Sequence, residues 1–502
     1  MRGGLPRALV VCVTALGSAA IASTSLAGCD VPEVVGVQGS GDPFSPVRLS
    51  RNDSVDVLFI VDDSASMAGK QARLRAALPA LVAALPPDTS YHFGAITSDL
   101  GAGSLTTFGC TVGGDGAALS AVARRADSTR CPGTTDSRNF LDEDLLHGRT
   151  NRQPMQPLAQ ALDCMLSAGD TGCFVQQPLS AALQALRTSA GSHRPDTFLR
   201  DNALLVLLFL TDGDDCSLPP GSDLFDPDRE MDYGPVSPFR CARFGLAYRT
   251  PARPIPTLPT GGPIPMPAPS SFGGTGVPGK LVDATVFRDA FTLPAASGGL
   301  KADPNDVVAL LIAAPPEPFE IIGVRPGTER TDSPVDCAPV DGTTCIAAVK
   351  HACAASGDRA LFGDPAVRLH AVLGTLSHRY SSPVCSVDQA PAVTDLANLI
   401  RSQQTGAGCL SARIINPGDP DCVVEDLITG HDGVARAQRI SRCGTGVAQL
   451  PCWRLVPDAR CAPIGAGGVG GDSQEFRIDI DRGGQGAPAG SVPTARCATL
   501  RN

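Results

Sequence analysis

Residues 55–66 read VDVLFIVDDSAS, an apolar run that ends in two carboxylates and two hydroxyls. Five of the seven residues from Val55 to Val61 are β-branched or aromatic. A near-continuous apolar run of this kind is typical of a central strand in a parallel sheet, because both faces of such a strand are covered. The stretch therefore predicts a buried strand whose carboxyl end carries a group of oxygen donors.

Helical and strand patterns alternate along the chain after this strand. Leu74, Leu78, Leu81 and Leu85 fall on one helical face, although Pro79 is expected to kink that helix or end it early. Further strands are predicted at 91–97, 203–210 and 307–313, and further helices at 178–186, 365–377 and 392–402. The alternation predicts an α/β fold, a doubly wound and mostly parallel sheet in three layers, with long loop insertions.

The strand at 203–210 also ends in oxygen donors, in the string Thr211-Asp212-Gly213. Ligand sites in open α/β sheets form beyond the carboxyl ends of the strands, where the strand order reverses, so the two strand ends are expected to meet. Asp62, Ser64 and Ser66 are spaced two apart and can face one ion. Carboxylates and hydroxyls are hard ligands that suit Mg²⁺, Mn²⁺ or Ca²⁺. The sequence therefore predicts a divalent-cation site at this edge.

The Asp-x-Ser-x-Ser string after the first strand and the Thr-Asp-Gly string after the later one resemble the metal-ion-dependent adhesion site of the von Willebrand factor type A family. The resemblance covers roughly 55–404, with interruptions. It implies that Ser64, Ser66 and Thr171 offer hydroxyls to the ion, and that Asp62 and Asp212 bind it directly or through water. It also implies an open coordination position that takes an acidic side chain of a partner protein.

Two features of the predicted site leave alternatives open. Thr171, within the string Gly169-Asp170-Thr171-Gly172, matches the loop threonine of the family best, and Thr111 is a poorer candidate. Asp63, Asp214 and Asp215 add negative charge, which would favour Ca²⁺. Mg²⁺ is the expected ion, with Ca²⁺ or Mn²⁺ as alternatives. The competing interpretation is a solvated acidic loop that binds no metal.

The amino-terminal region has the layout of an export signal. Basic residues precede an apolar run at 8–22 that is too short to span a bilayer, and Leu26-Ala27-Gly28-Cys29 follows. This string resembles a bacterial lipobox, which implies a lipoprotein signal peptide at 1–28 and lipid on Cys29. The alternative is an ordinary signal peptide that contains a cysteine. Residues 29–50 are rich in Gly, Pro and Ser and predict a flexible tether.

Three further regions complete the predicted domain plan. Residues 51–405 form the von Willebrand factor type A-like domain, and within it residues 217–300 form an irregular Pro- and Gly-rich insertion. Residues 406–502 carry six cysteines and short apolar alternations, which predict a small disulfide-rich β module.

Cysteine usage supports export. Sixteen cysteines lie from Cys110 to Cys497, an even number without the histidine spacing of a zinc site, so we expect disulfides in an oxidising compartment. The pairing cannot be deduced from sequence, and the short-range candidates are Cys110–Cys131, Cys164–Cys173, Cys216–Cys241 and Cys409–Cys422. Disulfides at Cys173 and Cys216 would hold the loops of the predicted site, although ordinary stapling of exposed loops is an equal alternative.

The charge pattern limits the class of function. The net charge is −10, only four of the 41 basic residues are lysines, and aromatic residues make up 4%, so a nucleic-acid partner is not expected. The preferred function is cation-dependent binding of a protein by a lipid-anchored protein of the bacterial cell envelope, on the periplasmic or cell-surface side. A metal-free scaffold is the alternative. A metal-assisted hydrolase is the least favoured, because the sequence offers no His or Glu close to either motif, so an enzyme is not expected.

Overall fold

The structure of this chain is a computed structural model. It describes residues 44–48, 54–106, 108–122, 124, 131–145, 147–190, 197–201, 203–248, 257–258, 264–265, 269, 279–324, 345–405, 413–414, 416, 418–429, 435–444, 450–457, 476–483 and 491–500. The predicted signal peptide, the predicted lipidation site at Cys29 and most of the tether lie outside these residues. Within the ranges given, no helix is long and apolar enough to cross a membrane.

The strands and helices are named here in chain order. The strands are β1 (Phe44–Arg48), β2 (Ser54–Val61), β3 (Ser90–Thr97), β4 (Leu141–Asp144), β5 (Arg149–Thr150), β6 (Leu204–Leu210), β7 (Thr257–Leu258), β8 (Ile264–Pro265), β9 (Val307–Ala313), β10 (Glu320–Val324), β11 (Cys345–Val349), β12 (Cys353–Ala355), β13 (Asp358–Gly363), β14 (His378–Pro383), β15 (Arg413–Ile414), β16 (Cys422–Thr429), β17 (Ala435–Arg442), β18 (Cys452–Pro457), β19 (Phe476–Asp481) and β20 (Ser491–Leu500). The helices are α1 (Ala68–Ala84), α2 (Leu158–Met165), α3 (Pro178–Ala190), α4 (Glu230–Tyr233), α5 (Phe239–Gly245), α6 (Ala284–Thr292), α7 (Val367–Leu373) and α8 (Ala390–Thr405), with short 3₁₀ turns at Pro227–Arg229, Ala295–Ser297 and Pro304–Asp306.

The central sheet has seven strands in the order β14-β9-β6-β2-β3-β4-β5. The five strands from β14 to β3 are parallel, and β4 and β5 add an antiparallel edge. The register places Val61 of β2 opposite Leu210 of β6 and Thr97 of β3. The predicted mostly parallel α/β sheet is therefore confirmed.

Helices cover both faces of this sheet, because the side chains of its strands alternate between two apolar cores. Val57 and Phe59 of β2 point into a core shared with α1, α2 and α8. Leu58 and Ile60 of the same strand point into a second core shared with α3, α6 and α7. Full burial of one such side chain contributes about 1.5–3 kcal/mol, so the continuous apolar runs of the sequence select this three-layer arrangement.

Helix α1 differs from the prediction at Pro79. The expected early end does not occur, since α1 continues through Pro79 to Ala84. Pro79 is exposed. Proline leaves the carbonyl of Arg75 without its helical donor, and on the exposed side of a helix solvent can satisfy such a carbonyl.

The insertion at 217–300 contains more regular structure than its Pro and Gly content suggests. It includes α4, α5 and α6, and Phe225, Tyr233 and Phe244 of this region are buried in a common cluster. The fully buried guanidinium of Arg240 donates to the carbonyls of Leu224 and Gly234 and so organises the segment. Apolar side chains scattered between the prolines carry too little periodicity to reveal this core in the sequence.

The predicted β module at the carboxyl end is present as a curled sheet in the order β1-β20-β16-β17-β18-β19, with β15 also paired to β20. Its core includes Val424, Trp453 and Ile478. Strand β1 belongs to the predicted flexible tether, yet it pairs antiparallel with β20, from Phe44 opposite Ala498 to Arg48 opposite Thr494. These five residues are therefore a strand of the carboxyl-terminal sheet.

The disulfides follow spatial rather than sequence proximity. Among the described residues they are Cys110–Cys173, Cys131–Cys164, Cys216–Cys241, Cys353–Cys385, Cys422–Cys497 and Cys443–Cys452. Of the predicted pairs, Cys216–Cys241 is confirmed. The pairs Cys110–Cys131, Cys164–Cys173 and Cys409–Cys422 are wrong, because the fold brings loops together that are far apart in the chain.

Candidate metal centre

The two predicted motifs meet at the carboxyl edge of the parallel sheet. Asp62 follows β2 and Asp212 follows β6, and these two strands are direct neighbours. The backbone N–H of Asp62 donates to the carbonyl of Leu210 at 2.9 Å. Strand β3 lies on the other side of β2, so the strand order reverses between β2 and β6. Such a switch point is where open α/β sheets form their ligand crevice.

The carboxylate of Asp62 is fixed by local hydrogen bonds. Its Oδ1 accepts from the backbone N–H of Ser64 at 2.8 Å, and its Oδ2 accepts from the hydroxyl of Thr211 at 2.7 Å. The residue is 1% exposed. Burial, and then the neighbouring charge of Asp212, raises the pKa of Asp62 to about 6.

The loop that carries Thr171 is anchored beside these strand ends. The side-chain amide of Gln71 donates to the carbonyls of Asp62 and Gly169, at 2.8 and 2.7 Å. The N–H of Gly172 donates to the carbonyl of Asp63 at 2.8 Å. Thr171 itself is exposed. The structure therefore brings the Thr171 loop to the site, but Thr171 is not among the residues that line the cavity described below.

The predicted residues Asp62, Ser64, Ser66 and Asp212 line one cavity of about 400 Å³. Most of the remaining lining is apolar, and this apolar wall comes largely from the insertion and from the region of the small sheet β7-β11-β10-β8. The apolar wall includes Phe239, Leu246, Phe319 and Ile346, and it is completed by Phe174, which follows the Thr171 loop, and by Phe362 of β13. A cavity with a few polar groups at one end and an apolar remainder is the usual form of a binding site.

Lys70 is the residue at this site that the sequence analysis did not single out. Its side chain is 0% exposed, and its ammonium forms an ion pair with Oδ2 of Asp212. The ammonium also donates to the carbonyl of Ser66 at 3.1 Å and lies 3.8 Å from the ring centroid of Phe362. The signal in the sequence was its position in the first turn of the helix that follows the Asp-x-Ser-x-Ser string.

Asp214 and Asp215, two of the three further acidic residues named in the predicted site, stabilise helix N-termini. Asp214 accepts from the backbone N–H groups of Arg368 and Leu369 in the first turn of α7. Asp215 accepts from the N–H of Leu179 at the start of α3 and from the hydroxyl of Ser217. Carboxylates are stable at helix N-termini. These two carboxylates therefore cap helices α7 and α3, and Asp214 also lines the cavity.

A histidine lies near the site, contrary to the sequence analysis. Hairpin β12-β13 places Phe362 against the ammonium of Lys70, and the imidazole of His351 stacks on the Phe362 ring, with 4.1 Å between the ring centroids. Nδ1 of His351 contacts the carboxylate of Asp364 at 2.7 Å, and the N–H of Asp364 donates to the carbonyl of Asp212. The side chain of His351 is 4% exposed, and it does not line the cavity.

Disulfides lie at both site loops. Cys173, two residues after Thr171, is bonded to Cys110, and Cys216, four residues after Asp212, is bonded to Cys241. The first bond joins the Thr171 loop to the loop that also contains Thr111. The second joins the end of β6 to α5, which contributes to the apolar wall.

The donor types at this edge fit a divalent cation, but the ammonium of Lys70 does not. Two unit positive charges 4 Å apart repel by roughly 4 kcal/mol at an effective dielectric constant of 20, and a divalent ion would double that repulsion. In the described part of the chain, no three His, Cys, Asp or Glu side chains form a group that could hold a metal ion. The arrangement therefore does not fit a divalent cation while the ammonium stays on Asp212.

Comparisons with known proteins add only distant likenesses. No protein family profile matches the chain, and no curated protein matches it. One similar solved structure is a von Willebrand factor type A from Catenulispora acidiphila, at 10% identity, covering 91% of this chain and 65% of that one, with a TM-score of 0.25. Another is the pilus adhesin RrgA from Streptococcus pneumoniae, at 10% identity, covering 91% and 58%, with a TM-score of 0.29. The chain spans less than two thirds of the length of either protein, and the fold assignment rests on the sheet topology above.

Proposed function

We propose that this chain is an exported protein that binds a partner protein at the carboxyl edge of its parallel sheet. One observation carries the proposal: two buried strand ends place carboxylates and hydroxyls in a cavity of about 400 Å³ whose remaining lining is mostly apolar. Polar groups would orient the bound segment, and the apolar wall would supply most of the binding free energy. The proposed role is binding rather than catalysis.

Binding of the partner through a divalent cation at this edge is the competing alternative to metal-free binding. The donor types of Asp62, Ser64, Ser66 and Asp212 favour it, with Mg²⁺ first and Ca²⁺ or Mn²⁺ as alternatives. When bound, such an ion supplies a position that accepts an acidic side chain of the partner. Lys70 must leave Asp212 before these residues can hold it.

The proposed location is the bacterial cell envelope. Six disulfides among the described residues fit an exported protein in an oxidising compartment. Lipid on Cys29 would hold the protein to a membrane, on the periplasmic or cell-surface side. The alternatives are a scaffold whose cavity binds nothing, and a hydrolase. A hydrolase would need a general base within reach of a substrate, and His351 is not among the residues that line the cavity.

The test uses the substitution Ala65→Arg. Ala65 is exposed and lines the cavity, so an arginine there would block the entrance without removing any of the predicted ligands. Chemical cross-linking in intact cells should join the wild-type protein to its partner. We expect this adduct to be absent with Ala65→Arg. Ala68→Arg is the matched control, because Ala68 is also exposed but does not line the cavity. Equal cross-linking by both variants would contradict the proposal, and no adduct with any form of the protein would favour the scaffold.

A further inference from the structure

We infer that the ammonium of Lys70 is the resident cation of this site, in the place that the family resemblance assigns to a divalent metal, and that the folded site is metal-independent. The inference concerns the same edge as the proposed function and rests on it for biological meaning. Its test needs no partner protein, so the two can fail separately.

The first support is the way in which Lys70 is held. A lysine ammonium is almost never fully buried unless it is paired, because burial removes its hydration. Here the carboxylate of Asp212 and the carbonyl of Ser66 accept from it, and the ring of Phe362 lies against it at 3.8 Å. The carboxylate, the carbonyl and the aromatic ring all stabilise a positive charge.

The second support is that three separate elements build this position. A helical side chain leans toward the amino terminus of its helix, so Lys70, near the start of α1, points onto the loop that precedes the helix. Asp212 comes from the end of β6, and Phe362 comes from β13. The ion pair of Arg73 with Asp358 at 2.8 Å fastens hairpin β12-β13 to α1, which keeps Phe362 in place.

The third support is the overlap of the two candidate cations. Asp212 is one of the two carboxylates assigned to the metal, and its Oδ2 is the atom that Lys70 contacts. A divalent ion on Asp212 would repel the ammonium at short range if Lys70 stayed in place. If Lys70 lost its contact with Asp212, the ammonium would remain buried without a carboxylate partner. Both outcomes oppose metal binding by the wild-type protein.

The experiment measures Mn²⁺ binding by electron paramagnetic resonance and by calorimetry. It uses the full chain with Cys29→Ser, which prevents lipidation, and compares wild-type Lys70 with Lys70→Met. Methionine keeps the length of the side chain and removes the charge. We expect weak or no Mn²⁺ binding by the wild-type site and at least about a tenfold gain in affinity in Lys70→Met, because like-charge repulsion is removed. Adding Asp212→Asn to Lys70→Met should abolish the gain.

Lys280→Met is the matched control, since Lys280 is paired with Asp223 in the insertion and its loss changes the net charge by the same amount. Thermal unfolding of the wild-type protein provides a second measurement that needs no variant: its midpoint should be the same in millimolar Mg²⁺ and in chelator. A midpoint raised by Mg²⁺, tight Mn²⁺ binding by the wild type, or a folded Lys70→Met protein that still binds no Mn²⁺ would each overturn the inference. If Ala65→Arg no longer binds the partner and the site still binds no Mn²⁺, the inference about Lys70 is unaffected.

Discussion

At the end of β2 and β6, two buried carboxylates lie side by side, and each is accommodated in a different way. Asp212 is compensated by the ammonium of Lys70. Asp62 instead accepts hydrogen bonds from the backbone N–H of Ser64 and the hydroxyl of Thr211. Its pKa is therefore raised to about 6, with burial as the first cause. The protonation of Asp62 should affect the stability of the whole domain.

The first prediction concerns pH and the substitution Asp62→Asn. The folded pKa of about 6 lies above the ordinary value of 3.8. The folded protein therefore binds more protons than the unfolded chain between these values, and its free energy of unfolding falls as the pH rises from about 4 to about 6. A shift of this size corresponds to roughly 2–3 kcal/mol. In Asp62→Asn this part of the pH dependence should be absent.

The measurement is urea unfolding in chelator at several pH values between these limits. Asp170→Asn serves as the control, because Asp170 is an exposed residue of the neighbouring loop. Parallel pH profiles for wild type and Asp62→Asn would show that Asp62 ionises normally in the folded protein, and would contradict this account of its burial.

The second prediction concerns the contact between two loops, and belongs to the scale of elements. A Cβ atom at Gly172 would lie 2.2 Å from Cγ of the buried Asp63, so that side chain or the loop must move. Gly172→Ala should lower the free energy of unfolding by roughly 1–3 kcal/mol, as overpacking usually does. Gly213→Ala is the matched control, since that glycine follows Asp212 and has no atom within 4 Å of an added Cβ.

Thermal unfolding of the two alanine variants provides the comparison. Gly172→Ala should unfold at a lower temperature than Gly213→Ala, which should resemble the wild type. If the two variants unfold together, the Thr171 loop is not packed against Asp63 as described. A Gly172→Ala protein with normal stability would also remove the reason for a glycine after Thr171.

The central strands β2, β3, β6 and β9 and the helices α1, α3, α7 and α8 were predictable, because long apolar runs with a clear period leave few alternatives. The meeting of Asp62 and Asp212 was predictable for a similar reason, since parallel strand ends share one edge. The partners of Lys70 were not, because Phe362 reaches it through a hairpin that follows a long insertion. The caps made by Asp214 and Asp215 were equally hidden, since a cap is recognisable only once the helix it faces has been placed. Cysteine pairing failed where chain distance was used as a guide.

At the scale of the whole molecule, the first and last described strands belong to one sheet. Because β1 pairs with β20, the chain leaves the carboxyl-terminal sheet, builds the α/β domain, and returns to it.

The third prediction is that deletion of residues 44–48 opens one edge of β20. Open sheet edges pair with other chains, so the shortened protein should associate in a concentration-dependent way.

Size-exclusion chromatography with light scattering would reveal this association. Deletion of residues 34–38 is the control, because it shortens the predicted tether by the same length without removing β1. The free energy of unfolding of the α/β domain should stay within experimental error in both proteins. A shortened protein without β1 that stays monomeric at every concentration tested would contradict a stabilising role for this strand at the sheet edge.

The two sides of the cavity have different origins, and this has a consequence for specificity. The oxygen donors come from the ends of sheet strands, whose positions are fixed by the two cores. Much of the apolar wall comes from an inserted segment that is pinned to the sheet by Cys216–Cys241. Exchange of that segment between related proteins, with its anchoring cysteine retained, would give the same scaffold a new preference for the apolar part of its partner while the polar end stayed unchanged.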